Sequence, residues 1–343
     1  MKACVFGAGA IGGHLAAKLA AAGHEVSVIA RGANLEAMHA KGLALHAGGK
    51  TIAARVRASE RAADLGAQEV VFVTTKATGL GAFAERAAPL LGRDTAVVFV
   101  QNGVPWWYAQ GLAPSRPKPP DLARLDPGGG LARAIAPERV IGAVVYSSND
   151  LVEPGVIHNH TPGRNMLVLG EPNDRQSGRI AALRATLEAC DMHSPPAPDI
   201  RQAVWDKLLI NFGSTLCVPI GEPIKALVED AALRALRRRV MDEGRAIAEA
   251  HGIRIDGAPQ RPGGQQASGS TAHKPSMLQD YELGRPMEIE AILMAPLAFA
   301  RAAGVPTPTL DALAAITARL AAAKGLYTSR HGAADGQADR PRR

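Results

Sequence analysis

The sequence predicts an α/β fold: a doubly wound parallel sheet in the N-terminal half, followed by an all-helical C-terminal domain. Three observations predict it. A glycine-rich turn separates an apolar strand from a helix at the very start of the chain. Short β-branched runs then alternate with helical patterns as far as about residue 170. From Ser177 onward the apolar spacing is helical. The expected divisions are residues 1–175 for the sheet domain, 176–328 for the helical domain and 329–343 for a polar tail without fixed structure.

The first turn is Val5-Phe6-Gly7-Ala8-Gly9-Ala10-Ile11-Gly12-Gly13, with a helical pattern over residues 11–22 behind it. Strand, glycines and helix in that order make the GxGxxG fingerprint of a Rossmann-type dinucleotide site. Gly7 permits the tight turn, Gly9 lets the backbone approach a pyrophosphate, and Gly12 lets the helix pack closely on the sheet. The helix N-terminus favours the phosphate charge. A second strand over residues 25–30 ends at Arg31, followed by Gly32 and Asn34. A carboxylate at this strand end would hold the ribose 2′-hydroxyl of NAD, whereas a guanidinium can grip a 2′-phosphate, so the cofactor expected is NADP.

Residues 42–56 carry short alternating segments, expected as a strand-rich crossover. The buried strand 69–76 places Lys76 at its carboxyl end, where open α/β sheets bind ligands. A helix over 82–91 and a strand over 95–100 lead to Gln101-Asn102-Gly103, with Asn102 again at a strand's carboxyl end. The cluster Val104-Pro105-Trp106-Trp107-Tyr108 anchors the segment behind it or walls a cleft. Residues 114–130, rich in Pro, Gly and basic side chains, read as a surface insertion. A strand over 139–146 follows, and 152–158 with 166–170 reads as an antiparallel extension of the sheet edge. His158 and His160 alternate along that extension without a third metal ligand.

In the helical half, Asp199 is placed to cap a long helix over 200–218, and a second long helix covers 224–250. Residues 262–271 are polar and glycine-rich, as in a mobile loop or lid. Further helices start near Ser276 and cover 310–323. Lys207, Asn211 and Thr215, spaced i, i+4, i+8, line one face of the first long helix among apolar neighbours. A lysine there is costly unless paired or tuned.

The net charge of +7 suits anionic ligands, but no basic stripe interleaved with aromatics supports nucleic-acid binding. Cys4, Cys190 and Cys217 are too few and scattered for a disulfide framework or a zinc site. No signal peptide or membrane-length apolar run is read, and a cytoplasmic setting is expected. The apolar helices of the second half could pair as a homodimer or pack on themselves.

Taken together, several blocks resemble the ketopantoate reductase family, the NADP-dependent 2-dehydropantoate 2-reductases. They are Gly7-Ala8-Gly9-Ala10-Ile11-Gly12, Lys76, Gln101-Asn102-Gly103, and Trp205-Asp206-Lys207-Leu208 with Asn211. Pro275-Ser276-Met277-Leu278-Gln279-Asp280, Gly284-Arg285-Pro286 and Glu288-Ile289 complete them. The blocks stand in the family's order and leave out only the tail and the 114–130 insertion. The resemblance implies reduction of a small branched 2-oxo acid, ketopantoate first. Lys207 would donate the proton to the C2 oxygen, with Glu288 orienting it. Asn211 and Ser276 would bind the substrate and its carboxylate. Arg31 and Lys76 would contact the adenosine 2′-phosphate region, and Asn102 the nicotinamide side. Thr215 stands where the family's archetypes have a second asparagine, which helps hold the pantoyl hydroxyl. Another 2- or 3-hydroxy acid or opine-type dehydrogenase, or an NADP-binding redox sensor without turnover, are the alternatives.

Overall fold

The computed structural model describes residues 1–257 and 274–328. The loop expected over 262–271 and the tail from 329 lie outside the described residues. In chain order the elements are strand β1 (Lys2–Phe6), helix α1 (Ala10–Ala21), β2 (Glu25–Ile29), α2 (Gly32–Lys41), β3 (Leu43–Ala47), β4 (Lys50–Ala54) and β5 (Arg57–Ser59). Then come β6 (Gln68–Val73), α3 (Leu80–Arg86), β7 (Leu91–Val100), α4 (Gly130–Ala134), β8 (Val140–Val145), β9 (Asn149–Glu153), β10 (Val156–Asn159) and β11 (Leu167–Gly170). Helices follow: α5 (Gly178–Ala189), α6 (Ile200–Thr215), α7 (Cys217–Ile220), α8 (Ile224–Glu229), α9 (Ala231–Ala250) and α10 (Ser276–Glu282). A π-helical turn (Glu290–Met294), α11 (Ala295–Ala303) and α12 (Pro308–Ala323) complete the chain.

The main sheet has seven strands in the order β11-β8-β7-β6-β1-β2-β5. β5 through β8 run parallel, and β11 adds antiparallel at the edge. This is the doubly wound order, whose switch point lies between β1 and β6. Strand alternation divides the core: Cys4 and Phe6 enter one apolar cluster, Ala3 and Val5 the other. The first cluster runs on from the sheet into the helical half through Trp205, Phe212 and Phe299. Burying a side chain such as Phe299 contributes roughly 2–3 kcal/mol, so the two halves share one core.

The strand-rich crossover expected at 42–56 is a hairpin in the connection between the parallel strands β2 and β5. β3 and β4 join β9 and β10 in a separate sheet of order β4-β3-β10-β9. Thus 166–170 extends the main sheet as expected, but 152–158 does not. The reason is a parallel pairing of β10 with β3 across more than a hundred residues (Val156 opposite Ala44), which no local pattern encodes. This small sheet covers α1. A Cβ on Gly13 would lie 2.7 Å from Ile157, and one on Gly12 only 2.0 Å from the Gly7 carbonyl oxygen. Helix α1 is therefore pressed between two sheets, which is why Gly12 through Leu19 are all buried.

The helices are more broken than the periodicity suggests. The helix expected over 82–91 stops at Arg86, and Leu91 already opens β7. Asp199 caps α6 as expected, accepting from the N–H groups of Arg201 (2.9 Å) and Gln202 (3.3 Å). The helix ends at Thr215, however, and α7 continues separately. Asp230 splits the second long helix, because its carboxylate accepts from Leu233 N at 2.8 Å and starts α9 as a new cap. Helix α5 packs on β11 with Ile180, Leu183 and Leu187 in the sheet-side cluster. Among the described residues no helix is long and apolar enough to cross a membrane.

Candidate active site

The carboxyl ends of β1, β6, β7 and β8 lie along one edge of the sheet, where α6 packs on β8, α10 meets Lys76 past β6 and the π turn meets Val104 past β7. The glycine turn follows β1. Gly7 has φ +108°, and a Cβ there would lie 2.9 Å from Thr75 N, so only glycine fits. A Cβ on Gly9 would meet nothing within 4 Å, which leaves the backbone at the start of α1 open to an approaching ligand. Ala8 is buried, and its carbonyl accepts from Asn34 Nδ2 at 2.6 Å. Asn34 Oδ1 accepts in turn from Gly155 N at 2.7 Å, tying the glycine turn to the small sheet. Ala10 and Ile11 open α1. Arg31 is exposed just beyond β2 at the N-cap of α2, with no side-chain hydrogen bond or ion pair among the described residues. An open Gly9, a closely packed Gly12 and a basic side chain past β2 fit a dinucleotide with a phosphorylated ribose.

Lys76 follows β6 and pairs with Asp280 of α10, across the two halves. Glu288, 7% exposed, accepts from the backbone N–H of Ala77 at 2.9 Å and from the side chain of Asn102. Burial pushes the Glu288 carboxyl above the usual range, offset in part by the Ala77 N–H and the Lys76 ammonium. Burial also raises Asp280, against the pull of Lys76. Lys76, Asn102, Asp280 and Glu288 thus form one group at the ends of β6 and β7.

Glu288 is set by the π turn behind it. Ala295 N donates to Glu290 O, five residues back, and Pro296 has no N–H to offer Ala291 O in the same register. The Ala291 carbonyl therefore faces outward and accepts from Val104 N at 2.8 Å. Gly103 makes this contact possible: its φ is +84°, and a Cβ would lie 2.5 Å from the Ala291 carbonyl carbon. Gln101 braces the same corner, donating to Val73 O (2.7 Å) and Thr75 O (3.2 Å).

Lys207, half-buried on α6, holds its ammonium 4.8 Å from the centre of the Tyr146 ring. Tyr146 lies at the carboxyl end of β8, and its hydroxyl donates to Ala203 O at 3.4 Å, one turn before Lys207. The ring therefore fixes the height of α6 over the sheet, and the cation–π contact is worth about 1 kcal/mol. Asn211, one turn on, has a buried Nδ2 with no acceptor among the described residues. Thr215 is 1% exposed, and its hydroxyl donates to Asn211 O at 2.8 Å, with Met277 Sδ at 3.8 Å. Ser276 is exposed at the first residue of α10.

Two contributors escaped the sequence reading. Tyr146 read only as a strand end, although an aromatic at the carboxyl end of a parallel strand is a usable signal. The helix containing the π turn was missed because Pro296 reads as a breaker. The aromatic cluster anchors rather than lines: Tyr108 accepts from Trp205 Nε1 at 2.9 Å and stacks edge-on with Phe299. His160 pairs with Asp150 at 2.7 Å, and no metal-binding group of three or more ligands occurs among the described residues.

Residues 3–106 match the family described as Ketopantoate reductase PanE/ApbA, and residues 199–321 match its C-terminal domain. A 2-dehydropantoate 2-reductase of Mesorhizobium japonicum is 43% identical over 96% of this chain and all of its own. The crystal structure of a putative ketopantoate reductase from Ralstonia solanacearum superposes with a TM-score of 0.82 at 36% identity, covering 95% of this chain and 99% of that one. D-mandelate dehydrogenase, solved with NADH and anilino(oxo)acetate, shares the fold at 19% identity, with a TM-score of 0.79 over 95% and 100% of the two chains. The chain belongs to the ketopantoate reductase family of nicotinamide-dependent oxidoreductases.

Proposed function

We propose that the protein reduces a small branched 2-oxo acid to the 2-hydroxy acid with NADPH, ketopantoate to pantoate being the first candidate. The observation that carries this reading is the pair of donors on one face of α6. The Lys207 ammonium is held over Tyr146, and the buried Asn211 Nδ2 one turn away has no acceptor among the described residues. Two adjacent donors suit the oxygens of an oxo acid. The glycine turn and Arg31 hold the dinucleotide, and Asn102 orients its nicotinamide end. Bound there, a nicotinamide coenzyme supplies the hydride.

Lys207 polarises the C2 carbonyl, stabilises negative charge as it develops on oxygen, and donates the proton that completes the alcohol. Asn211 fixes the substrate against α6, and Ser276 takes its carboxylate. Glu288 sits in the group shared with Lys76, Asn102 and Asp280 and holds the cleft's polar side in register. The Thr215 hydroxyl donates into its own helix, so it faces a substrate as an acceptor at most. A panel of 2-oxo acids assayed by NADPH absorbance and repeated with NADH tests the reading. Turnover of ketopantoate with NADPH supports it, and tight NADPH binding with no oxo acid reduced would favour a sensor.

A further inference from the structure

Residues 114–130 stand outside both stretches that match the family. Two of their three basic side chains, Arg116 and Arg124, are held by particular partners. Arg116 donates to Asp199 Oδ2 at 2.6 Å, while Asp199 Oδ1 caps α6. One carboxylate therefore starts the Lys207 helix with one oxygen and holds this segment with the other. Asp174 stands 3.7 Å from Arg116, and Arg201 secures the same end of α6 by donating to the carbonyls of Tyr108, Gln110 and Pro172. Eight residues on, Arg124 pairs at 3.4 Å with Glu290, the first residue of the π turn and two residues past Glu288. Tyr327 donates to the other oxygen of Glu290 at 2.9 Å. Leu122 and Leu125, on either side of Arg124, pack on the shared core. Asp126 accepts from Leu131 N and Ala132 N, fastening the segment to α4, which packs on α3 of the sheet half.

We propose that this segment is a strap that sets the spacing between the Lys207 helix and the Glu288 turn, with Arg116 and Arg124 as positioning residues for the reduction. This rests on the roles given to Lys207 and Glu288 above. Eight residues span at most about 27 Å of backbone, so that span and the two arginine side chains together bound the separation of the anchors while both pairs hold. Lys207 lies eight residues from the Asp199 cap, about 12 Å along the helix, so a tilt at the cap is carried to the ammonium. A misplacement of about 1 Å can cost on the order of 100-fold in rate.

The test compares the wild-type chain with Arg116→Ala, Arg124→Ala, the double variant and the conservative Arg116→Lys, using two readouts. One is kcat against KM and coenzyme Kd in NADPH-dependent reduction of a 2-oxo acid. The other is amide hydrogen exchange over residues 200–206 and 288–294. The proposal expects the double variant to lose about ten-fold in kcat with coenzyme Kd within two-fold. Exchange should rise in those two segments alone, and Arg116→Lys should recover part of the rate. Unchanged exchange in both segments overturns it, as does a fall in Tm with kcat intact. If the wild type reduces no 2-oxo acid, the functional reading fails, while the exchange data still decide whether the strap holds the two elements.

Discussion

The backbone N–H of Val104, just past β7, donates at 2.8 Å to the carbonyl of Ala291 in the π turn, joining the dinucleotide half to the helical half within a few residues of Asn102 and Glu288. The bond exists because the π register and Pro296 leave that carbonyl without a helical partner, and because Gly103 lets the two backbones touch. Substituting Gly103→Ala forces a Cβ to 2.5 Å from Ala291 at a φ of +84°. The expected cost is about 2–4 kcal/mol of stability. Circular-dichroism melts should show Tm falling by several degrees, with kcat/KM reduced in the folded fraction. A variant with wild-type Tm would mean that the two halves do not meet here.

Burial holds the Asp206 carboxyl at about 6 against an ordinary value of 3.8, although it accepts from Gly257 N at 2.9 Å. The folded chain therefore binds this proton more tightly than the unfolded chain. The contribution to stability is complete below about pH 4 and is lost as pH rises through 6. Asp206→Asn keeps an oxygen for Gly257 and removes the titration. Urea unfolding should show the variant gaining on the wild type between pH 4 and 6, by about 2 kcal/mol at the upper end. Parallel curves across that window would place the Asp206 titration elsewhere.

Arg31, exposed beyond β2, tests coenzyme choice. Arg31→Ala should raise KM for NADPH about ten-fold or more and leave KM for NADH within two-fold, since only the former carries the 2′-phosphate. Equal changes for both coenzymes would remove Arg31 from phosphate recognition.

How much of this was legible in the sequence depends on the range of the interactions. The Gly7, Gly9 and Gly12 turn, the Asp199 cap and the single face shared by Lys207 and Asn211 follow from spacings of a few residues, and each can be read locally. The small sheet could not be, because it pairs β3 with β10 from opposite ends of the nucleotide half. The break at Asp230 is as local as the Asp199 cap, but it stands inside an unbroken helical pattern, where one carboxylate decides between continuing a helix and starting another. The π turn was hidden for a related reason: Pro296 ends an ordinary helix but is tolerated where the register slips by one residue. The partners of Lys76 and Glu288 are likewise long-range. Lys76 pairs with a helix more than two hundred residues away, and Glu288 bonds to Ala77.

The central claim is that Lys207, held over Tyr146, delivers the proton during reduction. Its most direct measurement is kcat of Lys207→Ala for NADPH-dependent reduction of ketopantoate, alongside coenzyme Kd by fluorescence titration. The account predicts a fall of about 100- to 10,000-fold in kcat with Kd unchanged. A Lys207→Ala enzyme that turns over at the wild-type rate would contradict it.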